Sequence, residues 1–407
     1  MELKPGYKQT EVGVIPEDWS VVPLGRLYKF SNGVNADKAA YVKGLRFINV
    51  LEPISYSHIR GPEIPGLVEI PSQLAAAYTV NRGDIVFNRT SETDTELGMA
   101  AVYLGDEKVV FGGFVIRGQA ISSVLDAVYA GYALRGETVR AQIIPLGQGA
   151  VRANIGQESL RKVLVPVPPK HEQCLIAEAL QDIDVLLSNI QSSLCKKHQI
   201  KQAAVQELLT GKRRLQGFEG EWEVKRLGEI ATISMGRTPS RSKQEYWGPG
   251  HTWLSIADLK SKIVTESKEE ITDSAASTMS IIPKGTLLMS FKLSIGRLCF
   301  AGRDLFTNEA ICNFNALDAS GEFLYYVLGR TDFSLYGKQA VKGYTLNKES
   351  LQTVEVLLPV QEEQDDIASV LSSIDDEILI LEERREKALS IKKGMMQQLL
   401  TGKIRLT

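Results

Sequence analysis

The sequence predicts an α+β protein. Two globular α+β blocks are joined and followed by two long helices that pair as an antiparallel coiled coil, the whole forming a pseudo-two-fold internal repeat. Three observations carry this expectation. Residues 158–215 recur at 349–406 without a gap, at an offset of 349 − 158 = 191. In each copy the apolar residues step by alternating fours and threes, the a/d seam of a coiled coil. Ahead of each copy lie short β-type runs bounded by Gly, Asp and Asn.

Residues 1–166 form the first block. Turn residues at Pro5-Gly6 and Pro16-Glu17-Asp18 mark an extended lead-in. Trp19-Ser20-Val21-Val22-Pro23-Leu24-Gly25 resembles Trp222-Glu223-Val224-Lys225-Arg226-Leu227-Gly228, at an offset of 222 − 19 = 203. The repeat therefore covers nearly the whole chain, and the first block carries 203 − 191 = 12 more residues, which loops absorb. Phe47-Ile48-Asn49-Val50 answers Trp253-Leu254-Ser255-Ile256, and Arg82-Gly83-Asp84 answers Lys284-Gly285-Thr286. A turn at Gly105-Asp106 is expected to pair strand 100–103 with 108–111 as a hairpin, with Gly302-Arg303-Asp304 doing the same later. Helices are expected near 122–134 and 320–328.

The first long helix is expected at 167–211. Its seam is Ile176, Leu180, Ile183, Leu187, Ile190 and Leu194. Prolines at its start suit a first helical turn, where the missing N–H has no partner to lose. Gly211 is placed to end it in the left-handed conformation. Residues 212–358 form the second block. Residues 359–407 hold the second helix and a tail, with the seam Ile367, Leu371, Ile374, Ile378 and Leu381 and the terminal Gly402. Roughly two positions in five are identical between the copies, and a period near half the chain means a duplicated unit rather than a solenoid. Each helix is roughly 60 Å long at 1.5 Å per residue, so its narrow stripe needs cover, which a like helix supplies.

Composition is ordinary for a soluble globular protein: 407 residues, 43% hydrophobic, 24% charged, formal net charge −2. Near-neutrality counts against a strong autonomous nucleic-acid binder. No apolar run suggests a membrane span, and the N-terminus lacks a signal-peptide core. Cys174, Cys195, Cys299 and Cys312 make no CxxC pair and read as free thiols of a cytoplasmic protein.

No catalytic constellation assembles. There is no phosphate-binding GxxxxGK[ST] loop and no GxGxxG after a strand. His171-Glu172-Gln173-Cys174 lacks the second histidine of a zinc-protease motif. His58, His171, His198 and His251 are scattered, and Glu223-Val224-Lys225 reads as part of a strand rather than a nuclease site. No metal or catalytic residue is assigned. Binding is the expected trade. The competing readings are a coiled-coil scaffold for proteins and a stand-alone DNA-modifying enzyme.

The repeated Glu-Ser-Leu…Pro…Glu-Gln…Ile…Leu…Leu-Leu-Thr-Gly-Lys, each copy after a Trp…Leu-Gly-led block, resembles the specificity (S) subunit of type I restriction–modification enzymes. The resemblance implies two target-recognition domains held apart by the coiled coil and a bipartite, asymmetric site on double-stranded DNA. It also implies assembly with two methylation (M) subunits and with restriction (R) subunits. It places S-adenosylmethionine, ATP and magnesium on those partners, with no cofactor in this chain. On this reading, polar loops after the matched strands are expected to touch DNA: Asn88, Arg89 and Thr90, then Ser290 and Lys292. The loops before each long helix add Arg152 and Asn154, then Lys342 and Tyr344, since Arg, Lys and Asn suit base or phosphate contacts. Glu172, Gln173, Glu363 and Gln364 are expected to dock the M subunits, or simply to steady the first helical turn against its dipole.

Overall fold

In a computed structural model, the structure describes residues 5–35, 40–41, 43–93, 95–149, 152–292, 294–340 and 343–406, with backbone alone at 338–340 and 343–345. The chain divides into two compact units, one made of 1–191 and 383–407, the other of 192–382. Both are α+β.

Each unit is built on a five-stranded sheet of the same plan. In the first the order is Tyr28–Asn32, Val115–Ala120, Ile85–Asn88, Ala100–Tyr103 and His58–Ile59. In the second it is Thr232–Met235, Ile311–Asn315, Leu287–Ser290, Leu298–Ala301 and Ile263–Val264. In both, only the last pairing is parallel. The central strands read Ile-Val-Phe-Asn and Leu-Leu-Met-Ser and are buried on both faces, so they lack the alternation of a half-exposed strand. The matched turns before them use glycine at positive φ, Gly83 at 90° and Gly285 at 86°. At these angles a Cβ would be strained.

The expected hairpins are not formed. Ala100–Tyr103 pairs with Ile85–Asn88 and His58–Ile59, while Val109–Phe111 crosses into a second, four-stranded sheet beside Leu45–Ile48 and Thr79–Val80. The second unit repeats the crossing: Phe306–Thr307 runs parallel to Trp247–Leu254 rather than against Leu298–Ala301. The edge that a hairpin partner needs is already occupied, since Val102 N donates to Ser57 O at 3.0 Å and Leu104 N to Ile59 O at 2.7 Å. The short helices begin later than the sequence indicates in the first unit, at Ala127–Ala133, and near the expected place in the second, at Gly321–Gly329. Asp126 and Ser320 cap them by accepting from backbone N–H groups.

The long helices are continuous, Lys170–Leu208 and Gln361–Leu399. Gly211 and Gly402 follow them in the left-handed region, at 67° and 69°. The core of the first unit takes Ile176, Ala177 and Leu180 from the start of the first helix, and Leu399 and Leu400 from the end of the second. The second unit does the converse, with Ile367, Ala368 and Leu371 beside Leu208 and Leu209. Each unit is thus completed by the tail of the other repeat. Of the seam residues, Ile176, Leu180, Ile183, Ile190, Leu194, Ile367, Leu371 and Ile378 are buried, and Leu187, Ile374 and Leu381 half-buried. Among the described residues, no helix is long and apolar enough to cross a membrane.

Candidate nucleic-acid interface

In the first unit the chain leaves the central strand at Asn88 and immediately forms a two-residue ladder. Thr90 and Ser91 pair with Asn154 and Ala153. The structure thereby brings together two loops that lie far apart in sequence, and with them Arg89, Thr90, Arg152 and Asn154. Arg152 is exposed, and its Nη2 and Nε reach Glu92 Oε1 at 2.7 and 3.0 Å. Asn154 is exposed and donates from Nδ2 to Arg152 O at 3.1 Å. Half-buried Arg89 directs Nη1 toward Gly113 O at 3.5 Å. The exposed ion pair of Arg152 holds its fork without desolvating it and contributes little to stability, so Nε and Nη2 can exchange Glu92 for another acceptor at little cost.

Asn88 itself is fully buried. Its Nδ2 donates to Glu96 O at 3.1 Å, and its Oδ1 has no partner among the described residues. Ser290 is equally buried. Its Oγ donates to Ser294 O and accepts from Arg297 N. Both side chains lace the reversal that follows the central strand, which turns at Gly98 and Gly296. Neither presents an atom to a duplex, contrary to expectation: the strand continues inward one residue further than its polar ending implies.

In the second unit Lys292 is exposed, with Nζ 5.3 Å from the Phe291 ring. Lys342 lies outside the described residues. Tyr344 sits in strand Gly343–Thr345, paired in register with Gln339. A second cationic surface was missed from sequence. Arg241 lies 3.6 Å over the Trp247 ring and grips Glu269 at 2.6 and 2.8 Å. Lys243 lies 4.8 Å over Tyr246. The hydrogen bond from Arg241 holds the Glu269 carboxyl below its usual range. Cations interleaved with aromatics suit nucleic-acid surfaces; the signal was the run Arg241…Lys243…Tyr246-Trp247.

The four residues assigned to docking face inward. Glu172 accepts from Trp19 Nε1 at 2.9 Å and from Arg405 at 2.7 and 2.8 Å. Glu363 takes both arms of Arg214, each at 2.6 Å. Gln173 accepts from Asp126 N and donates to Pro168 O, while Gln364 accepts from Ser320 N and donates to Pro359 O. All four are buried, so no carboxylate or amide remains for a partner. A second layer follows the same plan. Asp184 takes Tyr132 and Lys392, and Asp375 takes Tyr326 and Lys201. The arginines and lysines recur at the repeat offset, 405 − 214 = 191 and 392 − 201 = 191.

A cavity of about 420 Å³ in the first unit is lined by His58, Arg60, Tyr132, Asp184 and Lys392. His58 Nε2 donates to Val128 O at 2.8 Å, so Nδ1 accepts from the Ser57 hydroxyl at 3.0 Å. Burial, aided by nearby Arg60 and Lys392 and opposed by the Val128 carbonyl and Asp184, lowers its pKa below the ordinary 6.5. The folded unit therefore rejects a proton that the unfolded chain accepts. Its stability is full above about pH 6.5 and falls as the pH drops below it, by at most about 1.4 kcal/mol per pH unit. Denaturant midpoints between pH 7.5 and 5.5 are expected to fall less in His58→Gln than in the parent; equal slopes would overturn this.

Residues 16–196 and 219–390 match the family described as type I restriction modification DNA specificity domain. The chain is similar to the putative type I restriction enzyme MjaX specificity subunit of Methanocaldococcus jannaschii, at 28% identity over 98% of this chain and 97% of that one. It is also similar to the StySPI specificity subunit of Salmonella potsdam, at 24% identity over 97% and 90%. Its fold is that of the type I restriction–modification S subunit from M. genitalium, with a TM-score of 0.61 at 14% identity over 98% of both chains. With two tandem matches spanning most of its length, the chain belongs to the type I restriction modification DNA specificity domain family, and it is a specificity (S) subunit, a sequence-recognising rather than catalytic component of its system.

Proposed function

We propose that this subunit reads a bipartite, asymmetric site on double-stranded DNA, one half with block 1–166 and the other with block 212–358. The long helices at 167–211 and 359–407 pack antiparallel as a coiled-coil spacer. One observation supports the spacer above all: the charged identities of the repeat pair reciprocally. Residues 172 and 184 of the first helix meet 405 and 392, while 201 and 214 meet 375 and 363, so one number rises as the other falls. Arg89, Thr90, Arg152 and Asn154 contact DNA in the first block, and Lys292, Lys342 and Tyr344 in the second. Because the two sets differ in chemistry, the half-sites differ. Asn88 and Ser290 hold the loops in place. Glu172, Gln173, Glu363 and Gln364 act as clasps within the chain rather than as docking contacts.

Two M subunits and, for cleavage, R subunits dock on this frame and carry the methyl donor and ATP chemistry. A net charge of −2 is tolerable if the partners supply most of the phosphate contacts. The reading is tested by mapping adenine methylation with single-molecule sequencing in cells expressing this chain with its M subunit. A split, asymmetric motif that vanishes without the chain is expected; a contiguous or palindromic motif would overturn it. The spacer has its own test. Four residues inserted after Leu187 add about 6 Å, and the unread gap is expected to lengthen by about one or two base pairs at 3.4 Å each, with both half-sites unchanged. An unaltered gap would remove the spacer from the mechanism.

A further inference from the structure

Two large apolar side chains of the first unit stand in water beside the Thr90–Asn154 ladder: Leu51 is 70% exposed and Phe114 56%. With Ile54, Thr90, Glu92 and Arg152 they line one cavity of about 410 Å³. The fold does not need a phenylalanine here. Phe114 and Ala310 hold the same backbone position, each just before the residue that pairs with the end of the central strand, Val115 with Asn88 and Ile311 with Ser290. Phe114 O accepts from Arg89 N at 2.9 Å and Ala310 O from Phe291 N at 3.0 Å. The second unit makes this turn with a buried alanine. An aromatic ring exposed at a turn that folds without it is a ring kept for contact with something else.

The cavity combines an apolar wall with one cation, Arg152, and two acids, Glu92 and Glu96, the second of which accepts from the Ser91 hydroxyl at 3.1 Å. That mixture disfavours a phosphate, which the Glu92 carboxylate repels. It suits base edges in a major groove, where the thymine methyl is the apolar group, guanine offers acceptors for arginine, and cytosine N4 donates to a carboxylate. Resting on the DNA-reading function proposed above, we infer that Leu51 and Phe114 receive the C5 methyl of a thymine in the first half-site. Arg152 and Glu92 read an adjacent G·C pair.

The experiment uses the assembled complex of this chain with its M subunits and a duplex carrying the mapped site. Each thymine of the first half-site is replaced in turn by deoxyuridine, which removes only the methyl. One replacement is expected to weaken binding about fourfold, the worth of one buried methyl-sized group. In Phe114→Ala the thymine and deoxyuridine duplexes should bind alike, while thymines of the second half-site remain without effect in either protein. Absence of any sensitive thymine in the first half-site would overturn the inference. So would a thymine preference that persists in both Phe114→Ala and Leu51→Ala. Weakened assembly with M at an unchanged thymine-to-deoxyuridine ratio would assign the apolar pair to a protein partner instead. Failure of the underlying function is read separately, as loss of specific binding to the unsubstituted duplex.

Discussion

Replacing Arg135 by methionine is expected to destabilise the first unit by about 3–4 kcal/mol, the sum of several hydrogen bonds worth about 1 kcal/mol each. The guanidinium follows helix Ala127–Ala133 and donates to four carbonyls, Pro53 at 2.7 Å, Ile54 at 2.8 Å, Ala100 at 2.9 Å and Tyr56 at 3.0 Å. Pro53 and Ile54 belong to the short helix Leu51–Ser55, whose last carbonyls have no partner within the helix. A cation there also opposes the negative end of the helix dipole. Burial, reinforced by Arg140 nearby, lowers the Arg135 pKa to about 10, which still leaves it charged at neutral pH. Lysine should not fully rescue the loss, because three carbonyls converge on Nη1 while Ile54 O is taken by Nη2, and one ammonium cannot occupy both nitrogen positions. The checks are the denaturation midpoint and amide exchange at residues 51–56. Midpoints equal to the parent would refute the assignment. Leu51 rides on this helix, so on the DNA-reading role proposed above specificity should relax in the first half-site and stay intact in the second.

Replacing Arg405 by alanine should cost the same unit about 2–3 kcal/mol. Breaking a buried pair commonly costs about 3–5 kcal/mol by stranding the surviving charge. The figure is reduced here because the Arg405 side chain keeps 27% of its surface in water, whereas Glu172 keeps 4%. Glu172 would retain only the Trp19 indole. Arg405 also holds Asp18 at 2.7 Å and keeps its carboxyl below the usual range, and this second contact would be lost too. A double-mutant cycle with Glu172→Gln isolates the pair. Additive losses would show that the two residues act independently.

The long helices were legible because a seven-residue apolar rhythm and an ungapped offset are properties of the chain itself. The exchange of tails was not. An offset of 191 makes Glu172 the counterpart of Glu363 and Arg214 that of Arg405, but equivalence does not say that Glu172 meets Arg405 rather than Arg214. Turn chemistry misled in a similar way. Gly105-Asp106 correctly marks a change of direction, yet the sheet that receives Val109–Phe111 is decided by the edge that His58–Ile59 has already taken. Around the loops proposed to face DNA, Arg152 and Asn154 stood out as polar residues in a turn. Leu51 and Phe114 did not, because an apolar residue between apolar strands reads as core until its exposure is known.

The division of the chain has a consequence for biosynthesis. Residues 192–382 form an uninterrupted stretch, so the second unit can close as soon as it has left the ribosome. The first unit cannot, because its core includes Leu399 and Leu400 and its clasp needs Arg405. The part synthesised first is the part finished last, and its apolar surface must wait through the translation of nearly two hundred intervening residues. Premature termination anywhere before the final helix leaves that surface permanently uncovered, a mark by which chaperones and proteases can tell an incomplete subunit from a complete one.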